Sequence, residues 1–300
     1  MISIRQLEAF VWAVRLKTLS RAATKLNMAQ PTISKRIQEL ELACGFDVFD
    51  KIGRSVAITP QGALLYEIAE KILSLVGQVH EIRDKSPISP RTITIGVTEL
   101  VAYTWLPKLV NLLAERYPMV TAHVDIEQSA SLLTKLRMGE LDLIVTPSFT
   151  PEPEFVDIRA SDVSLELMGS PHLCRSNRVY SGPDLSQFAV VAHGSQTGSI
   201  KMLASWMRDL EWTPKATIEL DSLSAQAGVA IAGMGLTVMP RDCFQFLIAS
   251  GDLIEIKTAT PPPTVRYRIV YPRHEEGGVV ARIAHSMQGV VDFSRSYQTR

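Results

Sequence analysis

The chain has 300 residues, 46% hydrophobic and 21% charged, an ordinary globular balance with room for about two domains. No run of about 18 uncharged apolar residues occurs, and no basic segment followed by an apolar run opens the chain, which speaks against a membrane span or secretion signal and for a cytoplasmic protein. Basic and acidic residues balance at 31 each, and Cys44, Cys174 and Cys243 are odd in number, far apart and outside C-x-x-C spacing, so they read as buried small apolar residues rather than a disulfide or metal framework.

Residues 3 to 16 read as a first helix capped by Ser3, with Ile4, Leu7, Phe10, Val11 and Val14 along one face. Residues 20 to 41 read as two short helices joined by a tight turn. Ser20 suits the N-cap of the first, whose apolar stripe of Ala22, Ala23 and Leu26 stops at Asn27-Met28. Pro31 suits the opening turn of the second, where Ile33, Ile37 and Leu40 form a core-facing stripe. The opposite face carries Gln30, Thr32, Ser34, Lys35 and Arg36, where a recognition helix in the major groove holds its base-reading and phosphate-holding groups. Periodicity alone leaves an ordinary helical hairpin with a solvated face equally open. Beyond it, Val48-Phe49 and Val56-Ala57-Ile58 flank a turn-rich segment, as in a short hairpin with Lys51 and Arg54 at its tip. Residues 1 to 59 contain nine Lys/Arg against five Asp/Glu, a net of +4, so the neutral total hides a basic head on an acidic remainder.

Thr59-Pro60 caps a long helix that runs to Ser86-Pro87. Its Leu65, Ile68, Ile72, Leu75, Val79 and Ile82 step by three and four, the seam of a helix pair, which predicts a dimer; a helix packed on its own domain is the alternative. Residues 83 to 91, with two Pro and four charges, form a linker. The rhythm then changes: strand-like Thr92–Val97, helix 99 to 116, strand Val120–Ile126, helix 130 to 138 and strand Leu141–Val145 make a parallel α/β unit. A second set follows, with strands near 164 to 168, 188 to 192, 215 to 220 and 235 to 239 and helices at 199 to 210, 222 to 232 and 241 to 249; a strand at 265 to 271 and a helix at 279 to 295 close the chain.

In open α/β sheets ligands bind beyond the C-terminal ends of strands, where helix N-termini present free donors. Thr98, Glu99, Gln128, Ser129 and Thr146 occupy such junctions in the first set, and His193, Ser195, Gln196, Thr197 and Ser222 in the second. Ser and Thr are also preferred N-caps, so each alone reads more readily as a cap than as a ligand contact; their convergence on one cleft is the stronger signal. Enzyme motifs are lacking. Gly194-Ser195-Gln196-Thr197-Gly198 has Gln where a nucleophile elbow has Ser, and no phosphate loop, H-E-x-x-H or metal spacing occurs, so catalytic residues, metals and cofactors are not expected. His274-Glu275-Glu276 reads as a solvated turn.

Residues 4 to 59 resemble the N-terminal domain of the LysR-type transcriptional regulators, with the pattern L-x-x-F, S-x-x-x-A-A-x-x-L, x-Q-P-x-x-S-x-x-I-x-x-L-E and L-F-x-R-x-x-R-x-V-x-L-T. Matching positions are Leu7 and Phe10; Ser20, Ala23 and Leu26; Gln30, Pro31, Ser34, Ile37, Leu40 and Glu41; Phe49, Arg54, Val56 and Thr59. Ala29 stands where the family has Ser, Cys44 and Val48 where it has Leu, and Lys51 where it has Arg, which exchanges a planar fork for a point charge. The resemblance implies an α/β protein with a winged helix-turn-helix (1–59), a dimerising linker helix and hinge (60–91) and an effector-binding domain (92–300) of two Rossmann-like lobes, 92–161 with 267–300 and 162–266, resembling periplasmic binding proteins. It implies promoter DNA as partner, with Ser20, Arg21, Gln30, Pro31, Thr32, Ser34, Lys35, Arg36, Lys51 and Arg54 on the DNA side, a small polar effector between the lobes, and a dimer or a tetramer built as a dimer of dimers. The rival reading is a cytosolic solute-binding protein or α/β enzyme with a helical N-terminal extension.

Overall fold

The computed structural model describes residues 1–50, 57–83, 91–147, 149–194 and 200–296. The head begins with α1 (Ile4–Leu16), where Ser3 and Gln6 close a reciprocal capping box that satisfies two otherwise free backbone donors. Helix α2 (Leu19–Lys25) starts two residues earlier than its sequence suggests. Thr18, not Ser20, is the N-cap, its hydroxyl accepting from the Arg21 amide, and Ser20 is an exposed residue inside the helix. The turn into α3 (Gln30–Cys44) passes through Asn27 at φ +51, a left-handed conformation that Asn tolerates better than a branched residue. Leu7, Phe10, Val11, Ala22, Ala23, Ile33, Ile37 and Leu40 interlock as the head core, with Phe10 against Phe49 and Tyr66 at centroid distances of 5.5 and 6.4 Å. Glu41 receives the Val48 amide at 2.9 Å, so this acid anchors the start of the wing hairpin β1 (Phe49–Asp50) and β2 (Ala57–Ile58). The hairpin tip with Lys51 and Arg54 lies outside the described residues.

Thr59 caps α4 (Pro60–Arg83) by accepting from the Gly62 amide. The heptad seam divides in two. Leu65 and Ile72 pack with buried Ala69 on the head core, while Leu64, Ile68, Leu75 and Val79 form an exposed stripe, 66%, 53%, 59% and 63% accessible. Leu65 and Ile72 of the expected seam thus serve the head core, and Leu64 stands in the exposed stripe; the side chain of Ile82 is outside the described set.

The body runs β3 (Arg91–Val97), α5 (Glu99–Tyr103), α6 (Leu106–Arg116), β4 (Val120–Ile126), α7 (Ser129–Arg137), β5 (Leu143–Pro147), β6 (Phe155–Val163), β7 (Leu165–Gly169), β8 (Val179–Tyr180), α8 (Gly182–Leu185), β9 (Val190–His193), α9 (Ile200–Asp209), β10 (Thr217–Leu220), α10 (Leu223–Ile231), β11 (Leu236–Pro240), α11 (Gln245–Ala249), β12 (Ile254–Glu255), β13 (Lys257–Thr258), β14 (Val265–Pro272) and α12 (Val279–Met287). One five-stranded sheet has the order β4-β3-β5-β14-β6 and the other β10-β9-β11-β7-β12. In each, four strands run one way and one runs against them, β14 in the first sheet and β7 in the second, each the strand by which the chain enters that sheet from the other lobe. Asp162 and Val163 pair with Arg266 and Val265 in the first sheet, so that sheet ends two residues later than position 161 and resumes two earlier than 267.

Two helices differ from their apolar periodicity. The stretch 99 to 116 is broken at Thr104-Trp105, because Pro107 has no amide donor and its ring clashes with the carbonyl four residues back. The last helix ends at Met287 rather than 295: Gly289 ends the helical path, and the apolar run beyond it folds back so that Phe293 lies 4.6 Å from the Tyr267 ring.

Candidate functional site

On the head, burial of Ile33, Ile37 and Leu40 turns the other face of α3 outward. Gln30, Pro31, Thr32 and Lys35 are exposed, Ser34 and Arg36 half-buried, and Arg21 is exposed on α2. Ala29 offers no side-chain cap, which leaves the first amides of α3 without that partner. Lys35 has a loose ion pair with Glu39 at 4.0 Å, an exposed contact weak enough for a phosphate to displace.

In the body a cavity of ≈ 1100 Å³ lies between the two sheets and is lined from both. Thr98, Glu99, Gln128 and Ser129 line it from one lobe and His193 from the other. Thr98 stands at the N-cap position of α5 yet makes no cap bond; its hydroxyl, buried, shares a 3.2 Å hydrogen bond with the Tyr267 hydroxyl. Ser129 is the first residue of α7 rather than its cap, which is Gln128. Thr146 is fully buried inside β5, its hydroxyl 3.4 Å from the Pro147 carbonyl, and does not belong to the cavity wall. Ser222 is a true cap, accepting from the Ala225 amide. Ser195, Gln196 and Thr197 lie outside the described residues.

The lobes are latched across the cavity mouth. Glu99 reaches from α5 to the N-terminus of α10, where its carboxylate accepts from the Ser222 hydroxyl at 3.0 Å and the Leu223 amide at 2.7 Å. A carboxylate suits that position because the helix dipole is positive there. Gln128 donates to Asp221 at 2.6 Å. Asp221 lies against Gly194, where any Cβ would strike its carboxylate oxygen. His193 is held below the ordinary imidazole pKa by burial, against the opposing pull of Glu99 and Asp221, and its Nδ1 has no hydrogen-bond partner among the described residues. Gln226, 1% exposed, donates to the Val191 carbonyl and the Thr237 hydroxyl. Asp221, Gln226 and Tyr267 escaped the sequence reading; only Asp221, next to the strand-end Ser222, carried a local signal.

Head and body also touch. Arg15 contacts both nitrogens of His274, at 3.1 and 2.8 Å, while pairing with Glu70 at 2.8 Å; Lys25 donates to the Gly139 carbonyl, and Trp12 lies where a side chain at 139 would stand. His274 is thus no solvated turn: burial first, then the charges of Arg15, Arg91 and Lys25, hold its pKa at about 2. Among the described residues no group of three or more His, Cys, Asp or Glu is placed to hold a metal ion, and no helix is long and apolar enough to cross a membrane.

A DNA-reading helix on a compact head, joined by one long helix to a two-lobed α/β body with a cavity, is the architecture of a ligand-responsive DNA-binding protein. The family models agree. Residues 4–63 match the bacterial regulatory helix-turn-helix protein, lysR family, and residues 89–284 match the LysR substrate binding domain. The chain belongs to the LysR family and is a LysR-type transcriptional regulator with an effector-binding domain, not an enzyme. It is 24% identical to the transcriptional regulator CbbR of Rhodospirillum rubrum over 95% of this chain and 94% of that one. Its fold is similar to ArgP from Mycobacterium tuberculosis (TM-score 0.69, 20% identity, 96% of each chain covered) and to full-length CbnR solved with its target DNA (0.53, 16%, 96% and 99%).

Proposed function

We propose that the head reads promoter DNA with the first turns of α3, through Gln30, Pro31, Thr32, Ser34, Lys35 and Arg36. Ser20 and Arg21 flank the groove, and Lys51 and Arg54 of the wing hold phosphates. The DNA-binding unit is residues 1–59 and the linker 60–91; the exposed stripe Leu64, Ile68, Leu75 and Val79 pairs two subunits, so that two heads meet half-sites about one helical turn apart. The effector sits between lobes of residues 92–300, against Thr98, Glu99, Gln128, Ser129 and His193, with Ser195, Gln196 and Thr197 as further contacts. Its binding shifts the lobes only by its difference in affinity for their two arrangements. The protein works in the cytoplasm, where the DNA is.

The observation that supports this reading best is the division of α3, whose apolar stripe is consumed by the head core while Gln30, Pro31, Thr32 and Lys35 stay uncovered. Retardation of DNA from the protein's own promoter region, measured across salt concentrations, tests it. Lys35→Ala should lower the slope of log affinity against log salt by about one unit, and Thr32→Ala should change the preferred sequence. Unchanged slope and preference in both variants would remove the assigned reading face.

A further inference from the structure

The cavity has a charge and a hydrogen-bonding character of its own. Its described walls carry five carboxylates, Glu99, Glu127, Glu140, Glu219 and Asp221, against one lysine, Lys135. That lysine is already held by Asp125 at 2.7 Å and Glu127 at 3.1 Å. The first amide of α10, one of the helix termini at the cavity, is taken by the chain's own Glu99, while the first amides of α7 carry no side-chain cap. Of the buried side-chain atoms of the described wall that have no partner, two serve as acceptors and one, the Trp212 Nε1, is a donor. The Gln226 Nε2 is fixed as the donor by the carbonyls of Val191 and Val238, so its Oε1, in a residue 1% exposed, is an acceptor with no partner among the described residues. Neutral His193 can add a lone pair at Nδ1, likewise unpartnered there. Leu203, Met207, Trp212 and Val238 supply apolar wall.

An anion would enter against like charge and find the α10 terminus taken, whereas a donor-rich cation would answer both the carboxylates and the orphaned acceptors. We infer that the cleft takes an organic cation, an amine or guanidine on an apolar body, with its N–H groups received by Asp221, Glu99 and Gln226. The inference rests on the cleft being the effector site and adds the chemical class of the occupant.

Titration calorimetry of the full-length protein at pH 7.5 with shape-matched probes tests it: phenethylamine and tryptamine against 3-phenylpropionate and indole-3-propionate. The amines should bind at least ten times more tightly than the carboxylates. Asp221→Asn and Glu99→Gln, both near-isosteric and checked for folding by thermal melting, should each weaken the amines about tenfold and spare or improve the carboxylates. Carboxylates that bind as well as the amines, and compete with them, would overturn the cation class while leaving the cleft as effector site. Amine binding indifferent to both substitutions would place it elsewhere and overturn the inference. Heat from neither class at millimolar probe would overturn the class and count against the cleft itself.

Discussion

The head and the cleft handle their polar groups in opposite ways. The head closes a small apolar core and leaves cations at its reading face outward, so Arg21 stands in water and Lys35 keeps only a loose 4.0 Å pair with Glu39. The cleft lines its walls with carboxylates, and there Glu99, half-buried, and Asp221, exposed, are each engaged by the other lobe. The difference teaches what each surface waits for. An exposed cation gives up little hydration to meet a phosphate, and its binding is screened by salt; a half-buried carboxylate must be matched by a donor of good geometry. Opposite signs on the two surfaces also keep their partners apart, since DNA is repelled by the body and a cation by the head.

The comparison would break most visibly if the head were not an independent core. Phe10, fully buried between Phe49 and Tyr66, is its centre, and Phe10→Ala should destabilise the head by about 3–5 kcal/mol. Calorimetric melting should then show an early head transition with the body's unmoved; a joint shift of both would mean one cooperative unit.

A smaller effect is expected at the exposed stripe of α4. Leu75→Glu with Val79→Lys adds charges where Ile72 remains free to serve the head core, so sedimentation should show the dimer weakened by at least a hundredfold, about 2.7 kcal/mol, while the head's melting holds. A dimer of unaltered strength would assign that stripe no part in pairing.

The smallest effect, read only between about pH 6.5 and 5, tunes the contact between the two regions. His274 excludes a proton while docked on Arg15, with a pKa of about 2 against 6.5 when free, so the docked form binds fewer protons than the undocked one. The docked form is therefore fully favoured above about pH 6.5 and loses up to about 1.4 kcal/mol per pH unit as the pH falls from there to 5. Hydrogen exchange at the Gly139 and Glu275 backbone should quicken between pH 6.5 and 5, and His274→Gln should remove that dependence. Exchange flat across this window in the native protein would show that docking does not depend on the histidine's charge.

Local signals carried the sequence reading a long way. The two helices and turn of residues 20 to 41, the strands at 92 to 97 and 120 to 126, and the start of α4 at Thr59-Pro60 are each specified within a turn or two of chain, by periodicity, proline and capping hydroxyls. Where the reading missed, a neighbour within the same stretch had been underweighted: Thr18 for Ser20, Pro107 inside an apolar run, Gly289 before Val290. The chain by itself thus determined the order of its elements, the polar face of α3 and most of the strand ends where the cleft would lie. Tertiary structure alone decided the rest, because it depends on groups far apart in sequence. Thr98 meets Tyr267 across 169 positions, Glu99 meets Leu223 across 124, and Arg15 meets His274 across 259. No local propensity encodes such pairs, since hydrogen bonds between distant side chains are selected only after packing has fixed where the helices and strands stand.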